Sequence, residues 1–386
     1  MNNYLLAISC PDINDAPSKQ ITNTVQERNV ANMDGEKTII KYSVIIPTLN
    51  QSTKLKQCLF HLSELSFNPD LFEVLVVDNG STDDTKQVVD TFKNEVPNLR
   101  YFFSAVPGLH TGRNLGLEKA RGDFLSYIDD DSFVTKGWLK GIDRAFEEPN
   151  VALVGGPCLP TYESNPPEWL KYLWSDCQYG KTLGYLSLLD FGDKFTSIHP
   201  SYVFGCNFNI RKDVLLKFKG FPPDYFPRKL RKYSGKGESA VARKLGRSNL
   251  LVIYSPEAKI FHMVPNNRLT EEYFYHRAYI AGINASYEKL RDQHHNVIQK
   301  RARREDQNIS FYVQFVKRIL RFFVRLLKVL YRVIFRQKPE KLRSIMRKGW
   351  EDGFVFHQSE VKKDPKLLEW VLRENYLGKN GELPVE

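Results

Sequence analysis

Two hydrophobic periods alternate along the first part of this chain. Short runs rich in β-branched and aromatic residues, YSVIIP (42–47), EVLVVDNG (73–80), LRYFFSA (99–105) and DFLSYIDD (123–130), predict strands; a proline stops the first and an Asn-Gly turn signal ends the second. Between them the period lengthens to that of a helix. Leu55, Cys58, Leu59 and Leu62 share one face of a predicted helix from Thr53 to Leu65. A second helix is predicted from Thr82 to Lys93, with Ser81 and Asp84 at capping-box spacing, and a third over 112–121, GRNLGLEKAR. Strands alternating with helices at this interval predict βαβ units and a doubly wound, mostly parallel α/β sheet covered on both faces.

Further along, VALVGGP (151–157) predicts another strand, YVFGCNFNIRKDVLLKF (202–218) a strand entering a helix, and LLVIYSPEAKIFHMV (250–264) a strand, turn and strand. Residues 157–200, rich in Pro, Gly, Tyr and Trp, predict a long, partly ordered loop region. From about residue 270 the chain becomes helical and basic. In FYVQFVKRILRFFVRLLKVLYRVIFRQK (311–338), Lys317, Arg318, Arg321, Arg325, Lys328, Arg332 and Arg336 keep helical spacing, apolar residues fill the other face, and acids are absent. Such a helix, on the order of 40 Å long, is too charged to cross a bilayer but suits an anionic membrane surface; packing on its own domain is the alternative. Residues 1–40 are polar and aperiodic, and predict a loosely ordered extension.

Composition narrows the partners. A chain of 386 residues with 42% hydrophobic and 13% aromatic content has material for a real core. Its formal charge of +11 calls for an anionic partner: nucleic acid, a lipid surface or a phosphorylated substrate. The positive charge sits mostly in the C-terminal tail and no nucleic-acid motif is present, which argues against nucleic acid. Cys10, Cys58, Cys158, Cys177 and Cys206 form no CxxC pair, so reduced thiols in a cytosolic protein are expected rather than disulfides or a zinc ribbon. The N-terminal MNNYLLAISC lacks a basic n-region, and no uncharged stretch reaches the ~20 residues that span a bilayer. The expected location is the cytoplasm, peripheral on the inner face of the membrane.

The candidate chemistry lies at strand ends. In an open parallel sheet, ligands bind beyond the carboxyl ends of the strands. Thr48 to Asn50 follow the first strand, Asp78 the second, and Asp129, Asp130 and Asp131 the fourth. Asp78 alone would serve equally as a turn residue; its sharing of an edge with the triplet favours a site. A carboxylate cluster there suits Mg²⁺ or Mn²⁺, which take oxygen ligands and share their shell with substrate phosphates. In an extended segment, Asp129 and Asp131 would face one way and Asp130 another. The run SGKGE lacks the GxxxxGK[ST] pattern of a phosphate loop.

VIIPTLN (44–50), VLVVDNGSTDDT (74–85), GRNLGLEKARGDFLSYIDDD (112–131), GCNFNIRKDVLLKFKGF (205–221) and PEAKIFHMV (256–264) together resemble the family 2 glycosyltransferases of the GT-A fold, in consistent order over about residues 42–280. The resemblance implies a GT-A, Rossmann-like domain over 41–280, with a nucleotide-binding half (41–135) and an acceptor half (136–280). A basic helical region over 281–386 follows, carrying the membrane-surface helix at 309–337. It also implies inverting, Mn²⁺- or Mg²⁺-dependent transfer of a sugar from a nucleotide-diphosphate donor to an acceptor hydroxyl. The acceptor would be a glycan or lipid-linked, in polysaccharide or glycolipid synthesis.

By the same resemblance, Thr48, Asn50 and Asp78 surround the base, and Arg113 lies near the base or diphosphate. Asp129 contacts ribose or metal and Asp130 the donor sugar, while Asp131 and His262 reach the metal. The family's Gly-Glu-Asp base motif corresponds to Gly237-Glu238-Ser239, with serine in place of the usual aspartate. Glu238, the only carboxylate of SGKGESAVARKLG (234–246), is therefore the candidate base. Trp169 is a candidate for stacking on acceptor sugars and Asn207 for an acceptor contact. Ser239 also raises a second expectation, a sugar-nucleotide-binding protein at the membrane surface without turnover.

Overall fold

The computed structural model describes residues 30–31, 37–106, 108–224, 226–302, 340–378 and 383. The helix predicted at 309–337 and most of the 1–40 extension lie outside the described residues. The chain builds the expected α/β sheet. β1 (Tyr42–Thr48) and β2 (Phe72–Asp78) are buried at every position, because a strand covered on both faces must be apolar on both. α1 (Ser52–Ser63) connects them, with Leu55, Cys58, Leu59 and Leu62 buried as expected. α2 (Thr85–Thr91) leads to β3 (Leu99–Phe103), and α3 (Leu109–Lys119) to β4 (Phe124–Tyr127). β1 runs parallel to both β2 and β4, and β2 parallel to β3.

The second helix is shorter than its pattern predicts, and the capping box does not form. Asp84 makes no side-chain cap bond. The preceding loop is instead tied to the loop after β1: Asn50 N donates to Ser81 Oγ at 2.9 Å, Thr82 N to Asn50 Oδ1 at 2.7 Å, and Ser52 N to Asp83 Oδ2 at 2.9 Å. Asn50 adopts φ 53°, the left-handed region that asparagine tolerates better than other side chains. Ser81 and Asp83 are spent on joining two loops at the sheet edge.

β5 (Ser132–Val134), α4 (Trp138–Phe146) and β6 (Val151–Gly155) follow. The region expected to be a long loop is partly a second sheet: β7 (Cys158–Tyr162), β8 (Ser175–Cys177), β9 (Gly180–Leu183) and β10 (Leu188–Asp190). Strands of three to five residues are too short to display a period, which is why composition alone suggested a loop. β11 (Thr196–Ser197), β12 (Phe208–Arg211), α5 (Lys212–Lys217), α6 (Gly237–Leu245), β13 (Leu251–Tyr254) and β14 (Ile260–Val264) complete the layers. The large sheet has the order β11-β13-β6-β12-β4-β1-β2-β3, with β12 antiparallel to both neighbours; the smaller one reads β8-β9-β10-β7-β14-β5. The four cysteines among the described residues are free.

α7 (Glu271–Ala302) and α8 (Glu340–Lys363) form the helical extension and run side by side in one direction. Tyr275 OH donates to Asp352 at 2.7 Å, and Ser286 Oγ bonds His357 Nδ1 at 2.7 Å. α9 (Pro365–Leu372) is capped by Asp364, whose Oδ1 accepts from the Lys366 and Leu367 amides. No helix among the described residues is long and apolar enough to cross a membrane.

His357 is fully buried, and burial lowers its pKa to about 4. Unfolded, it binds a proton near pH 6.5, so between pH 6.5 and 4 the unfolded chain takes up a proton that the folded chain excludes. Stability is therefore expected to be intact above pH 6.5 and to fall as pH drops toward 4, by up to about 3 kcal/mol from this residue. Urea midpoints for wild type and His357→Gln across pH 7 to 4.5 check this; equal slopes would remove His357 as the cause.

Candidate active site

The carboxyl ends of β1, β2 and β4 open on one edge, and the predicted polar residues meet there. Thr48 and Asp78 are buried. Asp78 Oδ1 accepts from the amides of Gly80 and Ser81 at 3.1 and 2.7 Å, and its Oδ2 accepts from Tyr101 OH at 2.7 Å. Its carboxylate shapes the turn after β2 and is held pointing along that edge.

The backbone turns at the aspartate triplet, Ser132 N donating to Asp129 O at 3.0 Å. Alternation therefore does not apply, and the three carboxylates part company. Asp129 Oδ1 accepts from Arg113 at 2.7 Å. Asp130 Oδ2 accepts from Thr48 Oγ1 at 2.7 Å. Asp131 faces His262 and Arg268. The division has an electrostatic signature. Burial, with the neighbouring charge of Asp131, pushes Asp130 up to about 8, against the Thr48 hydrogen bond. Burial acts on Asp131 as well, but His262 and Arg268 outweigh it and hold that carboxyl well below the ordinary range.

Glu238 stands in the first turn of α6, where the helix dipole favours an anion. Its Oε2 lies 2.8 Å from His110 Nε2 and 3.4 Å from Arg113. Arg113 is almost wholly buried on α3 and bridges Glu238 to Asp129, with a third bond to the Gly205 carbonyl. Burial alone would raise Glu238, yet His110 and Arg113 keep it ionised below the ordinary carboxylate range. Gly237 permits this contact. It adopts φ 49°, and a Cβ there would stand 2.2 Å from the His110 ring. His110 Nε2 is also approached by the Glu238 amide at 3.2 Å and by Arg113 NH1 at 3.1 Å, and burial lowers the pKa of the imidazole.

Glu238 and Ser239 open onto a cavity of about 670 Å³, whose walls also include Tyr185, Ser187, Asp224 and Arg277. Leu186, between two of those residues, accepts a hydrogen bond from His262 Nδ1 at 3.0 Å. One turn thus belongs both to the cavity wall and to the Asp131–His262 pair.

His262 Nε2 lies 3.3 Å from Asp131 Oδ1. The charge of Asp131 raises His262 to about 9 against the effect of burial. Because Nδ1–H is spent on a carbonyl, Nε2 is the nitrogen presented to Asp131, the orientation usual in metal-binding histidines. The pair is a fit for a divalent cation that takes its remaining ligands from phosphate and water. No group of three or more His, Cys, Asp or Glu gathers as a metal site among the described residues.

One predicted contact is corrected. Asn207 is buried framework: Trp138 Nε1 donates to its Oδ1 at 3.0 Å, and its Nδ2 donates to Ala258 O at 2.7 Å. Both ends of the amide are occupied, and no acceptor contact remains for it. Trp169 stacks edge-on against Phe274 of α7, ring centres 5.6 Å apart, and does not line the cavity. His110 and Arg268 were not anticipated. A single histidine in a helix and an arginine in a turn carry no periodic signal, and only the folded chain reveals their partners.

Residues 43–217 match the profile described as Glycosyl transferase family 2. Glycosyltransferase AglE of Haloferax volcanii is 34% identical over 121 residues, 31% of this chain and 40% of that protein. The GalNAc(5)-diNAcBac-PP-undecaprenol beta-1,3-glucosyltransferase of Campylobacter jejuni is 34% identical over 127 residues, 32% of this chain and 40% of that protein. The chain thus matches two fifths of the length of these curated relatives. Among solved structures, mannosyltransferase PcManGT from Pyrobaculum calidifontis, in complex with GDP-Man and Mn²⁺, superposes with TM-score 0.49 at 16% identity over 86% of this chain and 85% of that one. Staphylococcus aureus TarS 1-349 with UDP-GlcNAc does so at 0.43 and 20%, over 63% and 66%. Residues 43–217, most of the α/β unit that gathers Asp78, the aspartate triplet and Arg113 at one sheet edge, thus match Glycosyl transferase family 2.

Proposed function

We propose that this protein transfers a sugar from a nucleotide-diphosphate donor to an acceptor hydroxyl, with inversion, in the synthesis of a surface glycan or glycolipid. The observation that carries this reading is the convergence of Asp129, Asp131, Arg113 and Glu238 at one sheet edge beside a cavity, in a chain whose residues 43–217 match family 2. Thr48, Asn50 and Asp78 flank the base, and Asp129 with Arg113 the ribose and diphosphate. Asp130 faces the donor sugar.

Asp131 and His262 are the residues to hold Mn²⁺ or Mg²⁺, which when bound stabilises the charge of the leaving diphosphate. The acceptor enters by the cavity. Its oxygen attacks the anomeric carbon, the bond from that carbon to the diphosphate oxygen breaks, and the acceptor proton passes to Glu238. His110 and Arg113 hold Glu238 ionised and so ready to receive it. The basic helix predicted at 309–337 supports a site of action at the anionic inner face of a membrane, where a lipid-linked acceptor is presented.

A screen of UDP- and GDP-sugars for protection against thermal unfolding tests the reading. With Mn²⁺ present, the right donor at 100 times its Kd adds about 2.7 kcal/mol to the folded state and raises Tm. If no nucleotide sugar moves the midpoint with Mn²⁺ or Mg²⁺, the reading fails.

A further inference from the structure

The Arg268 guanidinium lies against both residues of the cation pair. Its NH2 is 2.8 Å from Asp131 Oδ2, and its NH1 is 3.3 Å from His262 Nε2. The opposing side chains are only 4% and 5% exposed, so water does little to separate the carboxylate from the imidazole nitrogen. Arg268 itself is 30% exposed and sits in the short turn Asn266–Arg268, between β14 and α7. Guanidinium is always charged, and its fork of donors fits carboxylates and phosphates alike.

We propose that Arg268 and a divalent cation contend for one place between Asp131 and His262, and that loading the cation releases Arg268 to the donor diphosphate. This rests on the metal-dependent reading of the site. The deciding constraint is space. His262 Nδ1–H is spent on Leu186 O, so Nε2 is the ring nitrogen turned to Asp131, and the guanidinium lies 3.3 Å from it. A metal ion bound there takes the place where the guanidinium now lies, and any proton on Nε2 leaves as the ion binds. Asp131 Oδ2 is likewise held by Arg268, so the ion gains its full carboxylate only when the guanidinium leaves.

The turn tethers Arg268 within six residues of His262, so the freed fork stays at the edge where the diphosphate arrives. Nucleotide therefore favours metal binding twice, by ligating the ion and by giving Arg268 a new partner. By linkage, metal favours nucleotide by the same factor.

Mn²⁺ titration of the full chain, followed by the paramagnetic resonance of the free ion, tests this in wild type, R268Q and R268K. Without nucleotide, R268Q is expected to bind Mn²⁺ about tenfold more tightly, the effect of removing one charge-assisted competitor. R268K, which keeps the charge but loses the fork, is expected between the two. With UDP or GDP, the factor by which nucleotide tightens Mn²⁺ is expected to shrink in R268Q. Adding D131N to R268Q is expected to abolish the gain. Equal or weaker Mn²⁺ binding by R268Q without nucleotide overturns the proposal, as does a gain that survives D131N. If neither wild type nor R268Q binds Mn²⁺ under any condition, the metal assignment itself falls and takes the proposal with it.

Discussion

Glu238→Gln is expected to lower kcat by about 10²–10⁴-fold while leaving donor affinity nearly unchanged. Glutamine keeps the volume, and its amide oxygen still accepts from His110, so the packing around Gly237 survives. What it loses is the capacity to take the acceptor proton. Transfer assays and Mn²⁺-supported donor binding, measured on the same preparations, separate the two effects. In wild type, activity should hold through neutral pH and fail only on the acid side, since the carboxyl must stay ionised and its neighbours keep its pKa low.

Full activity in Glu238→Gln would move the base elsewhere. Asp224, buried and lining the same cavity, is then the next carboxylate to test. A wild type that binds donor but shows no transfer to any acceptor would instead favour the binding-only reading that Ser239 raises.

Gly353→Ala is expected to destabilise the protein by about 3 kcal/mol, the upper range for overpacking a tight interface. A Cβ at Gly353 would stand 1.9 Å from the Tyr279 carbonyl oxygen, and one at Gly282 would stand 2.0 Å from that of Trp350. These obstacles are backbone, not a side chain that can swing away. α7 and α8 must separate by more than an ångström to admit the methyl group. Arg277 and Asn284 on α7 line the cavity, so the same substitution is expected to blunt acceptor use. Gly137→Ala is the control: nothing lies within 4 Å of its Cβ position, and its urea midpoint should stay close to wild type. Equal midpoints for the two variants would mean that the helices are not packed this closely.

β1 and β2 were legible because each is seven residues long and buried on both faces, so their apolar runs are continuous. β7 to β10 were not, being too short for any period to develop. The aspartate triplet marked the edge correctly, but its division among partners follows from a turn that no alternation rule foresees. Asn207 misled for an instructive reason. A polar residue beside a strand end looks available for binding, and only the neighbouring Trp138 and Ala258 show that it is already spent. The pairing of His110 with Glu238 spans 128 positions and depends on how α3 meets α6, a property of the assembled layers rather than of either segment.

The end of the described chain bears on when the site comes into being. Asn114, next to Arg113 on α3, donates to the carbonyl of Tyr376, 262 positions later, and Tyr376 N donates in turn to Lys219 O. At 5–20 residues per second, a ribosome needs roughly 13–50 s to travel between those two partners. A nascent chain can finish its parallel strands and the two Asn114–Phe221 bonds long before then, but the bond from Asn114 to Tyr376 waits until residue 376 has emerged and folded back. The contact of α3 with the end of the described chain is thus made late in synthesis. Loss of the segment after α9 would remove that contact and leave Asn114 of α3 held by Phe221.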